Sequence, residues 1–327
     1  MEARRIRSIL TALGLESQST RGLRLAQRGD PVISAISVKR PDLVAGMSAL
    51  ADYYDGFVID QWGVMHDGRT AYDGAPECFR RLREVGKTIV VVTNSGKRAD
   101  SNIERLAAMG FPRDTYRSVI SSGEVLWRHL DARIDPFFRG LGRRCLLIGT
   151  GGDKSMVDGL AIELVDQVEE CDFILLAGMD DNRPADFYEH WIEYGSRRYK
   201  PLVCANPDLV RIVNGELRPG CGALAHRYEL EGGPLRYIGK PYPDIYWACR
   251  REFQRAGARR ILAIGDSLIH DVAGGGEAGF DTAFVTEGIH KGDFAGIVDA
   301  DSTIDRVVEL ARKEDVMPDW ALPRLSW

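Results

Sequence analysis

The residues of this 327-residue chain best able to do chemistry are Asp60, Thr93, Lys240, Asp266 and Asp271. Asp60 closes the apolar run Gly56-Phe57-Val58-Ile59, and the chain then turns through Gln61, Trp62 and Gly63. Thr93 closes Ile89-Val90-Val91-Val92 and leads into Asn94-Ser95-Gly96. Asp266 follows Ile261-Leu262-Ala263-Ile264-Gly265, with Asp271 just beyond it, and Lys240 stands between Gly239 and Pro241. Three carboxylates make a hard, oxygen-only donor set for a small divalent cation. A hydroxyl, an amide and an ammonium suit an anion.

Those groups work together only if the chain brings them to one place. Fully apolar runs of this length suit parallel strands covered on both faces, and in such sheets ligands gather at the carboxyl ends of the strands. Between Asp60 and Thr93, Asp73 supplies an N-cap, Pro76 falls in a first helical turn, Phe79, Leu82 and Val85 recur on one face, and Gly86 stops the helix. The strand Thr88 to Val92 completes a strand-helix-strand unit, whose right-handed crossover turns Asp60 and Thr93 to the same end.

A helix over Arg98–Met109 and a strand at Ser118–Ile120 follow. A second α/β rhythm then begins, with strands Arg144–Ile148, Phe173–Ala177 and Leu202–Ala205 and a helix Ala185–Tyr194, ending in Asn206-Pro207-Asp208. Beyond Lys240 come a helix Pro243–Ala256, strands Ile261–Ile264 and Thr282–Val285, and a last helix through Asp305–Arg312. The reading is a core over 46–134 and 236–312, an inserted unit over 135–235, an N-terminal extension over 1–45 and a tail over 313–327. The extension is basic, with Ile6, Ile9, Leu10 and Leu13 at helical spacing. Leu43–Tyr53 reads as a helix feeding the first strand, and the tail, with Trp320 and Trp327, as packed back on the body.

Strand-Asp, strand-Thr-Asn, Gly239-Lys240-Pro241 and Gly265-Asp266-Ser267 with Asp271, in that order, resemble the haloacid dehalogenase superfamily of phosphohydrolases. The Gly-Lys-Pro form, the Asn206-Pro207-Asp208 triplet and the long insertion resemble its NagD-like, nitrophenylphosphatase-like branch. The resemblance covers Tyr54 to Gly288. It implies an α/β fold, a Rossmann-like doubly wound parallel-sheet core with an inserted α/β cap, acting on a small phosphorylated metabolite such as a sugar or polyol phosphate. Asp60 is then the nucleophile and a ligand of Mg²⁺, with the main-chain carbonyl of Trp62, Asp266 and Asp271 completing the protein's share. Thr93 and the amide of Asn94 would hold the phosphoryl oxygens, Lys240 would neutralise charge, and Asn206 and Asp208 would touch substrate or anchor the hinge. Trp62 would stack on a substrate ring or shield the site.

The sequence departs from that family at Trp62, where the phosphatases carry a second Asp as general acid and base. General acid-base help is worth about a hundred- to ten-thousandfold in rate. Either His66 or Asp67 substitutes, or the leaving group needs no proton, as in an aryl or acyl phosphate, or the protein binds a phosphometabolite without turnover. A nicotinamide dehydrogenase is the weakest alternative: Gly149-Thr150-Gly151-Gly152 matches neither the dinucleotide fingerprint nor the P-loop and reads as a tight turn.

Lys and Arg number 43 against 48 Asp and Glu, for a formal charge of −5, which gives no footprint for nucleic acid or an anionic membrane surface. Six dispersed cysteines without a Cys-x-x-Cys pair read as reduced thiols. No apolar run reaches the roughly 20 residues of a membrane span, and the N-terminus lacks a signal peptide's core. The expectation is a cytoplasmic enzyme, with a homo-oligomer left open.

Overall fold

The computed structural model describes residues 40–213 and 216–327. The helix expected around Ile6–Leu13 lies outside them. The main sheet is built from β1 (Asp42–Leu43), β2 (Gly56–Asp60), β3 (Thr88–Thr93), β4 (Ser118–Ser121), β12 (Ile261–Gly265), β13 (Asp281–Val285) and β14 (Trp320–Leu322), in the order β1-β14-β13-β12-β2-β3-β4. Every neighbouring pair is parallel. From β2 the chain moves outward through β3 and β4. It then returns on the other side of β2 through β12 and β13, so the sheet's direction of growth reverses between β2 and β12. Adjacent loops diverge at such a switch point and leave a crevice. Asp60 ends β2 and Asp266 follows β12.

Alternation along β2 explains why the sheet is covered twice. Phe57 and Ile59 enter a cluster with Met47, Leu50, Phe79 and Leu82, while Val58 enters one with Val92, Leu126, Ile245 and Phe253 on the opposite face. Phe79 and Leu82 belong to the helix Ala75–Glu84, whose N-cap is Gly74 rather than the expected Asp73. Helices Ser122–Ala132 and Pro243–Ala256 supply the other face. Leu43–Tyr53 is not a helix. Val44 N–H donates to Ala321 O and Asp42 N–H to Asp319 O, laddering this stretch onto the tail strand β14. Gly46 then lies fully extended, leaving room for one 3₁₀ turn, Met47–Ala49.

The inserted segment forms a second parallel sheet from β5 (Arg144–Ile148), β6 (Glu163–Leu164), β7 (Phe173–Leu176), β8 (Leu202–Cys204) and β11 (Leu235–Tyr237), in the order β11-β8-β7-β5-β6. The hairpin of β9 (Val210–Val213) and β10 (Glu216–Pro219) and the helix Cys221–Leu230 escaped the sequence reading. That helix buries Cys221, Gly222, Ala223, Leu224, Ala225 and Tyr228 in near-continuous runs, so it lacks the polar stripe that marks a surface helix. Cys145, Phe173, Leu175 and Val203 of this sheet share one apolar cluster with Val58, Leu130 and Ile245 of the main body, so the two parts pack together. Among the described residues no helix is long and apolar enough to cross a membrane, and the six cysteines are buried free thiols.

Candidate active site

The carboxyl ends of β2, β3 and β12 converge with the Gly239–Pro241 turn on one buried cluster. Asp60, Asp266 and Asp271 each present an oxygen, and these oxygens lie within 4.8 Å of one another. Lys240 Nζ sits 2.7 Å from Asp60 Oδ1 and 2.7 Å from Asp271 Oδ1. All four side chains are almost wholly buried. With all three carboxylates ionised, one ammonium would leave two negative charges uncompensated inside the protein. Burial pushes the Asp60 carboxyl well above the usual range against the pull of Lys240, and pushes Asp266, beside Asp271, up to about 7. For Lys240 the two carboxylates outweigh burial and hold its proton on. A hard divalent cation fits this set: the donors are oxygens, they are close together, and their excess charge matches it.

Local backbone choices hold the carboxylates. Gly63 has φ +78°, and a Cβ there would lie 1.8 Å from Asp266 Oδ2, so only glycine lets the loop after β2 pass so near. Asp266 Oδ2 also accepts the N–H of Ile289 at 2.7 Å. Asp271 lies on a π-helical turn, Leu268–Ala273, capped by the Ser267 hydroxyl, and its Oδ2 accepts the Ser267 N–H at 3.2 Å. The sequence pattern gives Asp271 as a ligand but assigns no helix to this segment. π-turns lack a periodic signature and occur most often at functional sites.

Thr93 is buried, and its hydroxyl oxygen accepts the N–H of Ser95 at 3.2 Å, which leaves its own hydrogen to be donated. Asn94 is committed differently: its Oδ1 accepts the Lys240 N–H at 2.6 Å, and its Nδ2 donates to Asp208 Oδ1 at 2.8 Å and to the Lys240 carbonyl at 3.2 Å. The Asn94 side chain therefore anchors the lysine's main chain, leaving only its backbone amide for an anion. Asn206 Oδ1 accepts the Asp208 N–H at 3.1 Å, a turn that presents Asp208 toward the main body. His270, which the sequence reading passed over, has Nδ1 3.5 Å from Asp208 Oδ1. Its pKa is lowered by burial despite Asp208, and its place beside Asp271 was the only signal for it.

Of the two loop residues expected as replacements for a second Asp, one is buried and the other is tied into its own turn. His66 is fully buried, its Nδ1 accepts the Gly68 N–H at 3.0 Å, and burial lowers its pKa to about 4. Asp67 is exposed and caps its own turn through the N–H groups of Arg69 and Thr70. In the inserted unit Gly151 and Gly152 take positive φ in a turn closed by Asp180, whose Oδ1 accepts the Gly151 N–H at 2.6 Å.

Two family models match: one described as haloacid dehalogenase-like hydrolase over residues 57–163, which reaches into the inserted unit, and one as HAD-hydrolase-like over 237–310. The chain is similar to a solved hydrolase of the haloacid dehalogenase-like family from Brucella suis 1330, at 29% identity and TM-score 0.71, covering 86% of this chain and 99% of that one. It is 25% identical to the ribonucleotide monophosphatase NagD of Escherichia coli K12, covering 72% of this chain and 89% of that protein. It is also 25% identical to the D-glycerol 3-phosphate phosphatase of Mycobacterium tuberculosis, covering 75% of this chain and 66% of that protein.

Proposed function

The chain belongs to the haloacid dehalogenase-like hydrolases, in the NagD-like branch, and is a phosphoric-monoester hydrolase; from that premise we propose that it dephosphorylates a small phosphorylated metabolite through a covalent intermediate on Asp60. The observation that carries this reading is Lys240, its ammonium shared between Asp60 and Asp271 at the switch point of the sheet.

In this reading an Asp60 oxygen attacks phosphorus, the bond to the leaving oxygen breaks, and the carboxylate becomes an acyl phosphate. Water then attacks the same phosphorus and frees both inorganic phosphate and the carboxylate. Splitting one displacement in two is what a carboxylate nucleophile offers. Thr93 donates its free hydroxyl hydrogen to a phosphoryl oxygen and the Asn94 amide assists. Lys240 offsets the charge that gathers when an anion approaches a carboxylate, and such preorganised charge supplies most of the catalysis of phosphoryl transfer. Asp60, Asp266, Asp271 and the Trp62 carbonyl would hold Mg²⁺, which when bound neutralises and orients the phosphoryl oxygens. The inserted unit, 135–235, serves as a cap that closes over the phosphate and reads the rest of the metabolite.

The test is phosphate release from a panel of metabolite phosphates and an aryl phosphate, with Mg²⁺ and with EDTA, by wild type and Asp60→Asn. Metal-dependent turnover that disappears in the variant is expected. Undiminished turnover by Asp60→Asn would remove Asp60 as nucleophile.

A further inference from the structure

Trp62 follows Asp60 by two residues, in the loop that leaves β2. The ring does not stand free there. It lies on Gly68, where a Cβ would come within 2.2 Å of Trp62 Cζ2, and it meets His66 edge-on with centroids 6.4 Å apart. Gly68, at φ +94°, has the backbone and the lack of side chain that this seat requires. The loop itself is fixed. Trp62 bridges to His66 and His66 to Ala71, Gly63 N–H donates to His66 O at 3.0 Å, and Arg105 holds the Gly68 carbonyl. Trp62 thus occupies a built position in the loop just after Asp60 with 40% of its surface open, and its indole has no acidic proton to give a leaving oxygen.

Neither neighbour on the loop repairs this. His66 spends Nδ1 on the Gly68 N–H, its Nε2 is buried without a hydrogen-bond partner, and the residue is sealed from solvent. Asp67 is spent on the Asp67–Thr70 turn. His270 turns Nδ1 to Asp208.

We propose that this site is built for phosphates whose leaving oxygen departs without a proton, namely acyl, enol and aryl phosphates, and that Trp62 is the residue that sets this preference. The inference rests on the reading of Asp60 as nucleophile. The balance of the first step is complete without an acid. An Asp60 oxygen forms a bond to phosphorus, the bond to the leaving oxygen breaks, and that oxygen keeps the electron pair as a carboxylate, enolate or phenolate. In the second step water adds to phosphorus, the Asp60 oxygen departs as carboxylate, and the water's proton goes to phosphate or solvent. An alkoxide is too basic to leave this way, and among the described residues neither Trp62, His66 nor Asp67 supplies general acid help, worth about a hundred- to ten-thousandfold.

The experiment is kcat/KM for the full-length protein with Mg²⁺ on acetyl phosphate, on aryl phosphates from nitrophenyl to phenyl, and on glycerol 3-phosphate. kcat/KM reports transfer to Asp60 without the later hydrolysis. Expected is a steep fall as the leaving group becomes more basic, with glycerol 3-phosphate about a hundred- to ten-thousandfold below the nitrophenyl ester. Trp62→Asp should flatten the series by raising the alkyl ester, and Trp62→Phe, which keeps a ring on Gly68, should keep it steep. A flat series in wild type, with the alkyl ester turned over as well as the aryl ones, overturns the inference and leaves the hydrolase reading intact. No turnover of any ester, acetyl phosphate included, overturns the hydrolase reading and this inference with it.

Discussion

Asn94 Nδ2 donates to Asp208 Oδ1 at 2.8 Å, tying the loop after β3 to the inserted unit at a point where the same amide also holds both main-chain polar atoms of Lys240. One side chain thus couples the position of the ammonium to the seating of the inserted unit. Asn94→Ala removes both buried main-chain partners at Lys240 and the tie to the partly exposed Asp208, and each buried group left unsatisfied costs about 1–3 kcal/mol. The expected result is a lower urea midpoint together with a fall in kcat/KM. A loss of stability with kcat/KM unchanged would make the amide a purely structural tie.

Lys240→Met leaves the three carboxylates without their ammonium. Breaking a buried pair by removing one partner costs about 3–5 kcal/mol. Urea unfolding in EDTA should show that loss, and Mg²⁺ should recover part of it by supplying positive charge to the same oxygens. If Mg²⁺ leaves the variant's midpoint where it was, the carboxylates are not its site.

Mg²⁺ binding should also be visible without catalysis. A ligand of the native state alone raises stability by about 2.7 kcal/mol at a concentration a hundred times its dissociation constant. Wild type should therefore melt higher in Mg²⁺ than in EDTA, and Asp266→Asn should reduce the difference. An equal Mg²⁺ shift in that variant would place the ion elsewhere.

Gly63→Ala asks a residue at φ +78° to put a methyl group 1.8 Å from an Asp266 oxygen. The loop must move, and a displacement of an ångström at an active site can cost about a hundredfold. kcat/KM should fall on that order while far-ultraviolet circular dichroism stays native. Retained activity would show that the loop's approach to Asp266 is incidental.

His66 gives a pH dependence whose sign is fixed. Its folded pKa, about 4, lies below the ordinary value of 6.5, so between those limits the unfolded chain binds more protons than the native one. Its contribution is complete above about pH 6.5 and is lost as pH falls toward 4. His66→Gln should therefore destabilise the protein less at pH 5 than at pH 7, as judged by urea midpoints against wild type. A difference independent of pH would mean that the imidazole is not held neutral.

The sequence by itself determined the strands that carry the site and the ends at which their polar residues stand. Apolar runs closing on Asp60, Thr93 and Gly265-Asp266 can bury both faces only as inner parallel strands, and crossover handedness then puts their carboxyl ends together. What it could not determine are relations made by packing between distant segments. Lys240 meets Asp271 across 31 residues and Asn94 meets Asp208 across 114. The role of Asn94, read from sequence as an anion contact, depends on where its side chain finds donors and acceptors, and the tertiary fold placed Lys240 and Asp208 there. The helix expected at Leu43–Tyr53 was lost to strand pairing with Trp320–Leu322, almost the full length of the chain away. His66 and Asp67 were plausible proton donors only until the loop closed, when one was buried and the other took up its own turn. Local pattern sets what a segment can become. Burial and long-range hydrogen bonding, which depend on every other segment at once, decide what each side chain is free to do.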